Sequence, residues 1–511
     1  MPFRRVDAIM ANAAVPNFVG NDFTDAAPGH RYNLYFPVWQ ADWSPDRNKT
    51  PATKKTTKIP DRVGDMLKAL RQRQTALARQ HGEAALTILA KSTAPFATGL
   101  GNEHPTENGF AFLTPYGLPY LAGSGVKGVL RRAAEELALF PEEYDLTPTS
   151  SAVETANPLP AGESRVRAEA LDVSMSSSQA QGARALTPTH LPEGEGLSML
   201  DVWWLFGFEG AAGAWWPLTR KEEKDLSDEV KASRRAWQER FDRHLHSLAD
   251  RPDLPDFISR ALPKGERADY ITDPARFLGD LAKLRQNIHT RGALDFWDVF
   301  PDCKEMALEI MTPHYGDYYR GDSTPHDAGQ PVPVTFLAIP AGSAFDFHVV
   351  CQPSRLPKHL QETWQDLLQA IFTQAFDWLG FGAKTSVGYG AMRPDEAAMQ
   401  QLRERELAVQ EQMAKEALQQ AEDARLAELP AIEKEMVEVL RANQDPNVKD
   451  YLVLLNALKQ QRWQGDDSRV VAERIRQLMA AAKIWKEKTE KKDPTKDKDH
   501  QRTQEVLKYL R

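Results

Sequence analysis

The chain has 511 residues, 41% of them hydrophobic and 27% charged, with 64 Lys+Arg against 72 Asp+Glu and a formal net charge of −8. Such a composition suits a globular protein of about three domains and excludes a wholly disordered chain or a generally basic nucleic-acid coat, but not a local basic groove. No long apolar run suggests a transmembrane helix, residues 1–7 lack the apolar core of a signal peptide, and Cys303 and Cys351 alone cannot make a disulfide framework or a Cys-rich zinc site, which fits a reducing cytoplasm.

Residues 1–60, rich in Pro, Asn, Asp and Lys with Trp39 and Trp43, read as an irregular arm. Val63, Met66, Leu67 and Leu70 then mark a helix over 61–82. This helix and its approach carry Arg47, Lys49, Lys54, Lys55, Lys58, Arg62, Lys68, Arg71, Arg73 and Arg79, either a solvated face or a phosphate-tracking patch. A strand is expected over 84–92, followed by a Gly/Pro-punctuated segment with His104. A helix then runs to about Phe140 with the stripe Val126, Val129, Leu130, Ala133 and Leu137. Residues 141–197 read as a long loop insertion, 198–217 hold the pairs Trp203-Trp204 and Trp215-Trp216, and 219–285 read as an inserted helical element. Strands are expected at 292–301, at 307–311 and where Phe345, Phe347 and Val349 alternate with Asp346 and His348. Leu360, Trp364, Leu367, Leu368, Ile371, Phe372, Ala375, Phe376 and Leu379 mark the next helix, which ends in a glycine-rich loop over 380–390. Beyond Pro394 the composition predicts a long helix or coiled-coil-like arm to 430, a small bundle over 431–480 and a mobile segment over 485–500.

Residues 123–128, Gly-Ser-Gly-Val-Lys-Gly, fail as a phosphate-binding P-loop, because no Gly directly precedes Lys127 and no Ser or Thr follows it. What remains is a Gly/Ser turn opening a helix, where free N–H groups and the dipole favour an anion, with Lys127 and Arg131 four residues apart; a tight structural turn fits equally. In the loop 380–390, Gly382 and Gly388 permit close backbone approach, Lys384 adds charge, Thr385 and Ser386 add hydroxyls, and Tyr389 offers a stacking face. The alternative there is a helix cap followed by a hairpin. No zinc-protease, paired-cysteine or nucleophile-elbow motif occurs. His104, His314 and His326-Asp327 are isolated loop residues, and Asp295, Asp298 and Asp302 suit strand ends and turns better than a metal site.

Residues 117–131, with Gly123, Ser124, Lys127, Gly128 and Arg131, resemble the signature of the RAMP proteins, RNA-binding subunits of CRISPR effectors. Ala122 stands where that signature has Pro and Gly125 where it has a second Ser, both small enough for the same turn. The loop with Gly382, Lys384, Thr385, Ser386, Gly388 and Tyr389 resembles the C-terminal loop of the family. Residues 98–105, 296–301 and 311–319 narrow the resemblance to the sixth-subunit family of type III-B (Cmr) effectors, over about 84–140 and 290–394. The resemblance implies an α+β fold, with a ferredoxin-like (RRM-like) core over 84–140 and 291–394. Beyond its reach, composition and periodicity leave residues 1–83 as an arm and basic helix, 141–290 as a partly helical insertion and 395–511 as an all-α extension, in a cytoplasmic protein without metal or cofactor. The resemblance also implies a non-catalytic subunit. That subunit would hold the 3′ region of a guide RNA and cap the backbone-subunit filament, with guide RNA, target RNA and other RAMP subunits as partners and no membrane. A scaffold protein, or a RAMP endoribonuclease using His104 or His314 with Lys384, are the competing readings.

Overall fold

The computed structural model describes residues 13–19, 22–40, 42–44, 49–141, 196–209, 226–312, 333–443, 445, 447–489 and 496–511. Arg47, nearly all of the 141–197 insertion, Trp215-Trp216, His314 with Tyr315, Tyr318 and Tyr319, and His326-Asp327 lie outside the described residues. Two compact units emerge, 1–399 and 400–511.

The described part of the N-terminal arm holds more regular structure than its composition suggests. Short helices α1 (Pro28–Asn33) and α2 (Thr50–Thr56) precede the long α3 (Asp61–Gln80). Tyr32 is fully buried, and the buried Arg31 donates to the carbonyls of Lys55 and Lys58, closing the C-terminal end of α2.

The central sheet is built from β1 (Ala85–Ser92), which leads toward helix α4 (Gly123–Leu139), and then from β2 (Leu294–Phe296). A hairpin, β3 (Ala307–Met311) with β4 (Val334–Ala338), forms its own two-stranded sheet. The chain returns as β5 (Ala344–Cys351), helix α5 (Lys358–Gln374) and β6 (Met392–Pro394). The strand order is β6-β1-β5-β2, with every neighbouring pair antiparallel, so β1 and β2 point the same way.

The alternation along β5 separates two faces. Phe347, paired with Ile88, packs against Phe372, Phe376 and Phe381 at centroid distances of 5.4, 5.9 and 5.0 Å, under α5 and the turn beyond it, and α4 lies beside α5. Asp346 points to the other face. There α3 lies across β1 and β5, burying Val63 and Leu67, while Arg71 donates to both carboxylate oxygens of Asp346 at 2.9 and 3.0 Å. Both faces of the sheet are therefore covered by helices, giving an α+β unit.

The insertion is docked onto this unit. Trp203 and Trp204 sit buried on the helix Met199–Phe206, which opens with a reciprocal Ser198–Asp201 cap. Arg251 bonds Asp201 at 2.7 Å, Asp253 at 3.0 Å and the α5 residue His359 at 2.9 Å. The Arg132 guanidinium of α4 lies 3.7 Å above the Trp237 ring of the helix Asp228–Leu248.

Helix α6 (Glu396–Glu428) begins in the first unit and continues into the second. The second unit adds helices Ala431–Arg441, Asp450–Lys459, Asp466–Ala481 and Lys498–Leu510. Its own core includes Leu454, Leu458, Val471, Ile475 and Val506. Of the end expected to be mobile over 485–500, residues 490–495 lie outside the described residues; Asp497 accepts the His500 N–H as the cap of the last helix, Lys498–Leu510, whose Thr503 and Val506 are fully buried. Among the described residues no helix is long and apolar enough to cross a membrane.

Candidate nucleic-acid interface

The entry to α4 is pinned before the helix starts, because Leu121 exchanges two 2.8 Å backbone hydrogen bonds with Val299. Gly123 is buried, and a Cβ there would sit 2.3 Å from the Phe296 carbonyl oxygen, so only glycine fits. Its N–H donates to Asp298 Oδ1 at 2.7 Å. A carboxylate from the loop after β2 thus already occupies the positive end of α4, where the sequence suggests a phosphate. Ser124 and Gly128 are exposed, and a side chain at 128 would meet nothing within 4 Å. Lys127 is half-buried and engaged within the protein. Arg131 does not join it at the surface: it is 9% exposed, and its Nε donates to Glu135 Oε1 at 2.9 Å along the helix. Burial pushes the Glu135 carboxyl up to about 7 despite this partner.

The glycine loop is closed on itself and on the segment after β1. Phe381 N–H donates to Gly390 O at 2.9 Å, Ala383 N–H to Ala97 O at 2.7 Å and Gly390 N–H to Pro95 O at 2.8 Å. Gly382 and Gly390 have positive φ, and Cβ atoms there would fall 2.3 Å from Ala97 O and 1.7 Å from Phe381 O, so both serve this closure. Gly388, also at positive φ, ends a 3-10 turn over Thr385–Val387. Lys384 and Tyr389 turn toward the β3–β4 hairpin. Lys384 Nζ lies 3.0 Å from Met311 Sδ and 5.6 Å from the Phe336 ring centroid. Tyr389 donates to Glu309 Oε2 at 3.1 Å and packs 5.7 Å from Phe336; burial and Glu309 push its phenol up to about 12. The expected stacking face of Tyr389 is therefore shared with the hairpin. Thr385 is half-buried, while Ser386 and Val387 are exposed.

These two glycine-bearing turns are attached to the exits of β2 and β1. Since β1 and β2 run in the same direction, both turns lie at one end of the sheet. The RAMP-like motifs are thus brought to a common edge, although their cations are partly engaged within the protein.

The remaining candidates separate. His104 stacks on Tyr32 at 3.6 Å, with Nδ1 against Thr106 Oγ1 at 2.7 Å and Nε2 against the Tyr32 carbonyl at 2.9 Å; burial lowers its pKa. Asp295 pairs with Arg291, Asp298 caps α4 and Asp302 meets Arg71, so the three aspartates are held by separate partners. Asp201, Asp253 and His359 do converge within 4.8 Å, but Arg251 bonds all three. Sequence reading missed the capping role of Asp298, which acts through space from residue 298 to 123; its position after an aromatic strand was the available signal.

Comparison with known proteins adds four matches. A family profile described as the RAMP superfamily matches residues 90–393. The CRISPR system Cmr subunit Cmr6 of Pyrococcus furiosus is 29% identical over 149 residues, covering 27% of this chain and 42% of that relative. Among solved structures, the Pyrococcus furiosus Cmr6 crystal structure aligns over 61% of this chain and 99% of its own at 18% identity and a TM-score of 0.23. The type III-B Cmr-beta complex bound to cognate target RNA aligns over 69% of this chain and 76% of its own at 13% identity and a TM-score of 0.30. The profile match runs from β1 into β6, holds both glycine-bearing turns and covers well over half of the sequence: the chain belongs to the RAMP superfamily.

Proposed function

We propose that this chain is a non-catalytic guide-RNA-binding subunit of a type III-B CRISPR effector. In this reading it holds the 3′ region of the guide and caps the filament of backbone RAMP subunits, with target RNA and other RAMP subunits as partners. The observation that carries the reading is the RAMP match over residues 90–393, on a sheet of order β6-β1-β5-β2. Taken with α4 and α5, that order supports reading the unit as a ferredoxin-like core of strand–helix–strand–strand–helix–strand type, with an insertion after α4 and the hairpin between β2 and β5. The likeness to Cmr6 supports the type III-B assignment. Engagement of both His104 ring nitrogens within the protein supports a binding rather than a cleaving role.

The test is affinity capture of the tagged protein from its own cells, with and without nuclease treatment, sequencing the RNA and identifying the proteins. Short guide RNAs recovered with several RAMP subunits are the expected result. Partner proteins recovered without RNA in either arm would replace this reading with a scaffold role. Metal-independent cleavage of repeat RNA by the purified chain would replace it with a processing nuclease.

A further inference from the structure

In an RRM-like arrangement the sheet face opposite the two helices is the open platform for single-stranded RNA. Here that face is taken by α3, held by Arg71 on Asp346 and by buried Val63 and Leu67. The helix start of α4 carries the Asp298 carboxylate, and Lys384 faces the hairpin. The densest basic stretch of the N-terminal half lies elsewhere. Residues 49–80 hold nine Lys and Arg against two Asp, in a chain of net charge −8.

The structure sorts these cations. Arg71 points inward to the sheet, whereas Lys54, Lys58, Arg62, Lys68 and Arg73 are exposed. Asp61 and Asp65 sit in the first turns of α3, where the helix dipole favours them. Arg62 and Arg73, eleven residues apart, share one face of the helix, and the exposed Lys68 stands about 120° around the helix from them. From Arg62 through Lys68 to Arg73 an exposed cation recurs every five to six residues, about 8–9 Å along the helix axis, and Lys54 and Lys58 precede them. The surface is rigid: α3 is bolted to the sheet by Arg71, and α2 is fixed by the Arg31 bonds to the Lys55 and Lys58 carbonyls.

We propose that the outer surface of α2 and α3 is an RNA-backbone track, on which single-stranded RNA passes over the covering helix instead of the sheet. Contact is to phosphates and hence independent of base sequence. The proposal rests on the RNA-binding reading above and names the surface responsible.

The experiment uses the full-length chain and a fluorescein-labelled, mixed-sequence single-stranded RNA of about 40 nucleotides, titrated by anisotropy at several salt concentrations. One variant combines Lys54→Gln, Lys58→Gln, Arg62→Gln, Lys68→Gln and Arg73→Gln; a second exchanges Lys and Arg at the same positions. Thermal melting verifies folding, which these exposed positions leave intact. Wild type and the charge-preserving variant are expected to bind alike. The Gln variant is expected to bind at least tenfold more weakly, with its log K against log salt slope shallower by about 0.7 for each phosphate that is no longer neutralised. Wild-type binding that the Gln substitutions leave unchanged would overturn this proposal alone. A wild-type chain that binds no RNA at any salt concentration would overturn the RNA-binding reading together with it.

Discussion

Asp298 and His348 show how single side chains tie this fold together. Asp298 accepts the first helical N–H of α4 from across the sheet end, a cap supplied by a distant residue because Ala122 has no side-chain acceptor. Asp298→Ala is expected to lower stability by about 1 kcal/mol, while Asp298→Asn keeps an acceptor and stays near wild type in denaturant melts. His348 is buried beneath α3 beside Thr87 and Trp297, and burial lowers its pKa to about 4. The unfolded chain takes up this proton near 6.5 and the folded chain only near 4, so its contribution is intact at neutral pH and lost as pH falls across that window. Wild type is expected to lose up to roughly 3 kcal/mol from this site between pH 7 and 4, and His348→Gln to flatten that part of the profile in chemical denaturation. The sequence revealed Gly123, Gly382 and Gly388 as special backbone positions, since glycine between apolar runs has few other uses. The inward turn of Arg131 is missed by a reading that pairs Arg131 with Lys127 as an anion contact, although Glu135 four residues on is the available signal. The Asp298 cap was not legible, because its partner is 175 residues away.

Among the elements, α3 has the largest consequence. Its helical period and its basic content were both readable, but its position over the sheet was not. That position depends on Arg71 meeting Asp346 across 275 residues of chain. Arg71→Ala is expected to cost roughly 3 kcal/mol, because it leaves the Asp346 carboxylate, 14% exposed, without its counter-charge. Arg71→Met combined with Asp346→Leu should cost less than the single change, and thermal melts of both decide it. Periodicity placed β1, β3, β5, α4 and the start of α5 within a residue or two, while the end expected at Leu379 is a π-helical turn over Ala375–Leu379. It overextended the strand at 292–301, which ends at Phe296 because the following residues turn away to pair with Leu121 and cap α4. It did not single out β4, and it did not separate β3 from the main sheet, since alternation specifies a strand but not its partner.

At the scale of the whole molecule, each unit carries its own hydrophobic core, the second built around Leu454, Leu458, Trp463, Val471, Ile475 and Val506. A fragment of residues 400–511 is therefore expected to be helical and to melt cooperatively by circular dichroism; a non-cooperative loss of signal would show that its core needs the first unit. Composition revealed the change of character near Pro394, while the boundary between the units falls at Met399, within the first turns of α6. A composition shift marks where the sheet stops, and the helix that follows bridges the transition.

The Arg71–Asp346 bond also has a temporal meaning. When α3 and β1 leave the ribosome, neither has its main partner, because β5 is translated about 275 residues later. At roughly 5–20 residues per second that delay is on the order of 15–55 s. During it, the apolar side of α3 and both edges of β1 are exposed to every other nascent chain, so the yield of soluble protein is set by what shields residues 61–92 in that interval.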